Sequence, residues 1–258
     1  FEKATWEEVY KIIKSKVKNI DKDKICGFVG DLTNMEASFI FKEFFDRTLS
    51  VDNYESRSSK KFIDNSTREN YLFNSTINGI EEADLIFLVG VNPRFESTIL
   101  NARIRKAYLN SSIKIVSLND VGDLTYRYQS LDGKTQTIKD IIDGKNKLSQ
   151  EIIKSTKPLI ILGESFLNSK SAKHLFHPLK NFLLKNNKIS NEWNPFNILS
   201  TDASTVGNFD LDLFNEKKDL IKDLYENKFE LVYLLGQDSL NFKKKEEFVI
   251  YQGSHGDK

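Results

Sequence analysis

Short runs of consecutive apolar residues recur along the chain, and stretches with helical spacing separate them. "ICGFVG" (25–30), "DLIFLVG" (84–90), "KIVSL" (114–118), "PLIILG" (158–163), "FNILS" (196–200), "ELVYLLG" (230–236) and "FVIYQG" (248–253) read as strands. Their apolar positions run together instead of alternating, as in parallel strands covered on both faces. Between them, "TWEEVYKIIKSKV" places Trp6, Tyr10, Ile13 and Val17 on one helical face. "TNMEASFIFKEFFDRTL" carries Ala37, Phe41, Phe44 and Phe45 in a stripe, with Thr33 and Glu36 at capping-box spacing. "ESTILNARIRKAYLN" turns Leu100, Ile104, Ala107 and Tyr108 inward. "SAKHLFHPLKNFLLKNN" reads as a helix that breaks or restarts at Pro178. "DLFNEKKDLIKDLYENK" (212–228) is amphipathic. Residues 50–78 form a polar excursion. Residues 120–155, with Gly122, Gly133, Gly144 and many charges, read as a hinge.

Strands alternating with helices predict an α/β fold of two lobes, each a mainly parallel sheet flanked by helices. The hinge places the division at 1–145 and 146–258. "LIFLVGVN", "LIILGES" and "LVYLLGQD" each put a glycine just past the strand and a polar residue after it. That is the chemistry of a βα turn at the carboxyl edge of a sheet, where α/β proteins place ligands. The candidate crevice residues are therefore Gly90, Asn92, Arg94, Glu164 and Asp238. Asp31, Glu164 and Asp238 suit catalytic acids, but side chains at strand ends more often cap the next helix or pair with a neighbour. Arg94 stands near the amino end of a helix, where the dipole opposes a cation unless something negative lies close by. A nucleotide site would supply phosphate. Without one, Glu96, Asp120 or Asp123 is the expected partner, and loss of Arg94 should then lower stability or assembly.

Charge and composition narrow the chemistry further. The 258 residues carry 38 basic and 37 acidic side chains, which leaves no excess for a nucleic-acid surface. A single cysteine, Cys26, excludes an internal disulfide and an iron–sulfur cluster held by this chain alone, which needs about four thiolates. No G-x-G-x-x-G, P-loop or G-x-S-x-G occurs, so nucleotide and serine-hydrolase readings lack their backbone geometry. His174 and His177 are spaced for a metal on one helix, but such a pair is more often a partly exposed helical face. No apolar run approaches the roughly 20 residues that cross a bilayer. The residues thus assign no catalytic side chain and no metal ligand.

"ADLIFLVGVNPRFESTILNARIRKAYLN" resembles the strand–G-x-N-P–helix–R-I-R-x-A element of the molybdopterin oxidoreductases. More narrowly, it resembles the largest iron–sulfur subunit of respiratory complex I. The discriminating residues are Asn92-Pro93-Arg94-Phe95-Glu96 and Asn101-Ala102-Arg103-Ile104-Arg105-Lys106. Trp6-Glu7-Glu8, "RENYLFNSTINGIEEAD", "DVGDLTY", "PLIILGES", "LVYLLGQD" and "FVIYQGSHGD" follow the same pattern in order, so the resemblance runs over nearly the whole chain. It implies the molybdopterin-enzyme fold, truncated at both ends; a chain that starts at Phe1 fits that expectation. It also implies a role in electron transfer from NADH to ubiquinone at the mitochondrial inner membrane, on the matrix side, or on the cytoplasmic side of a bacterial plasma membrane. The clusters of that family belong to a cysteine-rich amino-terminal part, so this portion is expected to hold no cofactor. Its expected partners are that cluster-bearing part and other peripheral-arm subunits, with neither nucleic acid nor a direct membrane span. The alternatives are a working molybdopterin-dependent oxidoreductase and a stand-alone nucleotide-binding module.

Overall fold

A computed structural model describes residues 2–59, 61–215, 217–243 and 245–254. The helices, in chain order, are α1 (Trp6–Lys18), α2 (Met35–Glu43), α3 (Thr76–Gly79), α4 (Pro93–Glu96), α5 (Thr98–Asn110), α6 (Thr135–Ile142), α7 (Lys147–Lys154), α8 (Glu164–Leu167), α9 (Ala172–Lys185), α10 (Thr205–Asp210) and α11 (Leu220–Tyr225). The strands are β1 (Ile25–Val29), β2 (Tyr54–Glu55), β3 (Leu85–Val89), β4 (Lys114–Ser117), β5 (Gln129–Ser130), β6 (Pro158–Leu162), β7 (Phe196–Ile198), β8 (Leu231–Leu235) and β9 (Phe248–Gln252). All seven apolar runs are strands, and every ladder pairing is parallel.

Two compact units result, one from residues 1–59 and 202–258, the other from 60–201. The division expected at 145/146 is corrected: that point falls between α6 and α7, inside the second unit. Strand pairing is the cause. β6 lies beyond the expected boundary, yet Leu85 to Val89 of β3 pair with Pro158 to Leu162. β8 likewise returns to β1, with Ile25 opposite Leu231.

The first unit holds the sheet β2-β1-β8-β9. Ile25 and Val29 face Phe41, Phe45, Leu231 and Leu235 on one side. Cys26 and Phe28 face Leu220, Leu224 and Val232 on the other. Gly27 occupies the first face because two rings fill its side-chain space. A Cβ there would lie 2.4 Å from both Phe41 Cζ and Phe45 Cζ.

Three local expectations change in this unit. Asn34, not Thr33, caps α2, its Oδ1 accepting from the Ala37 amide at 2.8 Å. Thr33 instead donates to the Leu235 carbonyl at 3.2 Å. The capping box sits on α1, where the Thr5 amide donates to Glu8 Oε2 at 2.7 Å and Thr5 Oγ1 accepts from the Glu8 amide at 3.4 Å. The expected inward face of α1 holds only toward its carboxyl end: Val17 packs on the core, while Trp6 and Tyr10 are exposed and stack on each other at 5.7 Å. Among the described residues of the amphipathic run 212–228, only α11 is helical, capped by Asp219; Glu216 within it lies outside the described residues, as do His255 to Asp257 of "FVIYQGSHGD".

The second unit holds the sheet β5-β4-β3-β6-β7. Leu85, Phe87 and Val89 enter one core layer, with Ile160, Phe176, Leu179 and Phe196. Ile86 and Leu88 enter the other, with Leu100, Ile104, Ile115 and Ile161. Both faces are covered, which is why the runs are uninterrupted. The expected hinge is ordered: it contains β5, α6 and α7, and Ile138, Ile141, Leu148 and Ile152 are buried in the first of these layers. Pro178 does not interrupt α9. Leu175, Phe176, Leu179, Phe182 and Leu183 all bury on one side of it, and that packing holds the helix through a residue that cannot donate a backbone hydrogen bond.

Candidate functional site at the strand ends

In the second unit the chain winds outward in opposite directions from β3 and β6. Such a reversal leaves a crevice beyond the carboxyl ends of the two strands. Gly90 and Gly163 end those strands. Gly90 has φ +63°, a left-handed conformation that favours glycine. A Cβ on it would lie 2.4 Å from the Phe166 amide nitrogen, and one on Gly163 would lie 2.5 Å from the Gly90 carbonyl oxygen. The two turns therefore touch, and the backbone and side chain of Phe166 occupy the space that the missing Cβ leaves.

Asn92 spends each of its groups inside the protein. Its amide donates to Glu96 Oε1 at 2.6 Å, its Nδ2 donates to the Val121 carbonyl at 2.9 Å, and its Oδ1 accepts from the Arg94 amide at 3.2 Å. It is the N-cap of α4, with Pro93 buried at the first helical position, where the missing amide costs nothing. Arg94 selects Asp123 from the three expected carboxylates. Its Nη1 reaches both Asp123 Oδ2 and the Asp123 carbonyl at 2.6 Å. The Thr125 amide, then Arg94, hold the Asp123 carboxyl below its ordinary value. Asp120 instead accepts from the Tyr128 hydroxyl and the Gly122 amide, and these lower its pKa.

Glu164 follows Gly163 and pairs with Lys61 at 2.8 Å; both side chains are largely buried. Thus Gly90, Asn92, Arg94 and Glu164 belong to neighbouring turns of one sheet edge. Asp238 does not join them. It belongs to the first unit, after β8, and accepts from the Tyr251 hydroxyl at 2.7 Å. Asp31, at the end of β1 in that unit, accepts from Ser239 Oγ at 3.1 Å. His174 and His177 lie on an exposed face of α9, where His177 Nε2 meets Asp64 at 3.2 Å. Cys26 is buried inside β1, and burial pushes its thiol up. Among the described residues, no group of three or more His, Cys, Asp or Glu side chains is placed to hold a metal.

Other polar residues that fix this edge carry little sequence signal. Lys61 lies in the polar excursion. Asn101, buried in α5, donates to the Leu124 carbonyl at 3.1 Å and accepts from the Tyr126 hydroxyl at 2.7 Å. Its position between Leu100 and Ile104 is the one available clue. At β7, buried Asn197 accepts from the Ser75 amide at 2.8 Å and donates to the Pro195 carbonyl at 2.9 Å. Phe73 bridges to the same residue, so the excursion covers an edge strand that would otherwise offer unpaired backbone groups.

Parallel sheets whose strand ends carry glycine turns define an α/β protein with switch-point crevices. The model of the molybdopterin oxidoreductase family matches residues 1–258, and the chain belongs to that family. Among curated proteins it is similar to a bacterial relative, an NADH-quinone oxidoreductase component from Rickettsia bellii, 34% identical over 255 residues, covering 98% of this chain and 36% of that protein. It is 32% identical over 273 residues to the NADH-ubiquinone oxidoreductase 75 kDa subunit of Reclinomonas americana, covering all of this chain and 39% of that one. The mitochondrial NADH-ubiquinone oxidoreductase 78 kDa subunit of Candida albicans is 35% identical over 266 residues, again across the whole chain and 35% of the relative. The chain therefore spans little more than a third of the length of these relatives.

Proposed function

We propose that this chain is a scaffold portion of the large iron–sulfur subunit of complex I, the assembly that passes electrons from NADH to ubiquinone. The observation that carries this reading is the similarity along the whole chain to bacterial and mitochondrial proteins named as parts of NADH-quinone and NADH-ubiquinone oxidoreductase. The strand-end geometry supports a non-catalytic role. A pterin or molybdenum site does not fit the residues at this edge. Asn92 and Arg94 are engaged by protein groups, Phe166 fills the space beside Gly90, and the cysteine lies inside a strand. The chain would pack against the cluster-bearing part of its own subunit and against neighbouring peripheral-arm subunits. That location is the matrix side of the mitochondrial inner membrane, or the cytoplasmic side of a bacterial plasma membrane. No helix among the described residues is long and apolar enough to cross a membrane. Elemental analysis of the purified chain tests the non-catalytic part: neither molybdenum nor iron should be found, and about one molybdenum per chain would favour a working molybdopterin enzyme.

A further inference from the structure

Among the described residues, Glu96 is the acidic group of the β3–β6 edge with a buried carboxylate oxygen that has no hydrogen-bond partner. Its Oε1 accepts from the Asn92 amide. Its Oε2 is buried with no hydrogen-bond partner among the described residues. The neighbouring charges are already committed. Arg94, on the same short helix, is turned away to Asp123. Lys61 is paired with Glu164, and Glu164 stands on the turn that touches Gly90. An ionised Glu96 would therefore place a second negative charge near Glu164, with a buried oxygen that nothing solvates.

We propose that Glu96 is a proton-controlled latch, protonated while it clamps Asn92 and the α4 turn beside β6, and releasing that turn when it ionises. Protonation leaves Oε1 as the acceptor for the Asn92 amide and removes the uncompensated charge. Burial is the largest influence on this carboxyl. The Asn92 amide opposes it and the Glu164 charge reinforces it, and the net direction is upward. A raised carboxyl favours the folded turn fully below the ordinary glutamate range, near pH 4.3. That preference declines as pH rises and is gone once pH has passed through the raised value. This inference does not depend on the complex I reading.

The test is hydrogen–deuterium exchange of the segment 90–97, read by mass spectrometry on the full-length protein as isolated from its source, with intrinsic rates corrected at each pH. In the native sequence, protection should be highest below about pH 4.3, fall as pH rises above that range by at most about tenfold per pH unit, the limit for one proton, and then level off. Glu96→Gln stays neutral and should show a flat profile, better protected than the native protein at high pH. Glu164→Gln removes the nearby charge and should move the fall to lower pH. A flat native profile would overturn the latch without any variant. An unchanged pH-dependent fall in Glu96→Gln would also overturn it, by assigning the proton to another group.

Discussion

An alanine at Gly90 would have to hold a φ of +63° and set its Cβ 2.4 Å from the Phe166 amide nitrogen. The left-handed backbone costs about 1 kcal/mol, and overpacking adds roughly 1–3 kcal/mol. Gly90→Ala should therefore lower the denaturation midpoint clearly in urea titration. Arg94→Ala should barely move it. Arg94 and Asp123 are 41% and 75% exposed at their side chains, and exposed pairs contribute little. That is a smaller effect than the loss of stability or assembly expected for Arg94 from the sequence; the pairing itself, with a carboxylate of the protein, is observed. Asn197→Ala leaves the Ser75 amide and the Pro195 carbonyl short of a buried partner. It should cost about 1–3 kcal/mol in the same titration. The glycines and Asn92 were legible because a strand-end turn demands their types. Asp123 was legible only as one of three carboxylates, because the choice depends on how the loop after β4 folds.

The strands were readable from local pattern, since burial on both faces leaves few polar residues inside them. The helices α6 and α7 were not. Their helical spacing, Ile138 with Ile141 and Leu148 with Ile152, is present but runs only 8 residues in each, and flanking glycines and charges mask it. Their burial makes a firm prediction: Ile152→Ala should cost about 2–5 kcal/mol by calorimetry or denaturant titration, which a true hinge residue would not. Pro178 makes the converse one. It lies exposed within the continuous helix α9, and an interior proline costs about 3 kcal/mol. Pro178→Ala should raise the melting temperature, and a fall would mean that the proline shapes the helix for a contact. A proline's missing donor alone predicts a break here; the five large apolar side chains that bury on the opposite side hold the helix through it.

At the scale of the whole molecule, each sheet closes on strands far apart in sequence. Apolar runs announce that a strand exists, but not which strand it joins, so the lobe boundary was misplaced while the fold class was not. The two pairings that set it, β1 with β8 and β3 with β6, also create the two strand-end crevices from which the candidate residues came. The measurement that tests the central claim most directly is separation of native membrane extract by size, with antibody detection of this chain and an NADH–quinone activity assay on each fraction. The account predicts that the chain runs with a very large assembly and coincides with the activity. Recovery of the chain in a small, separate fraction without that activity would contradict it.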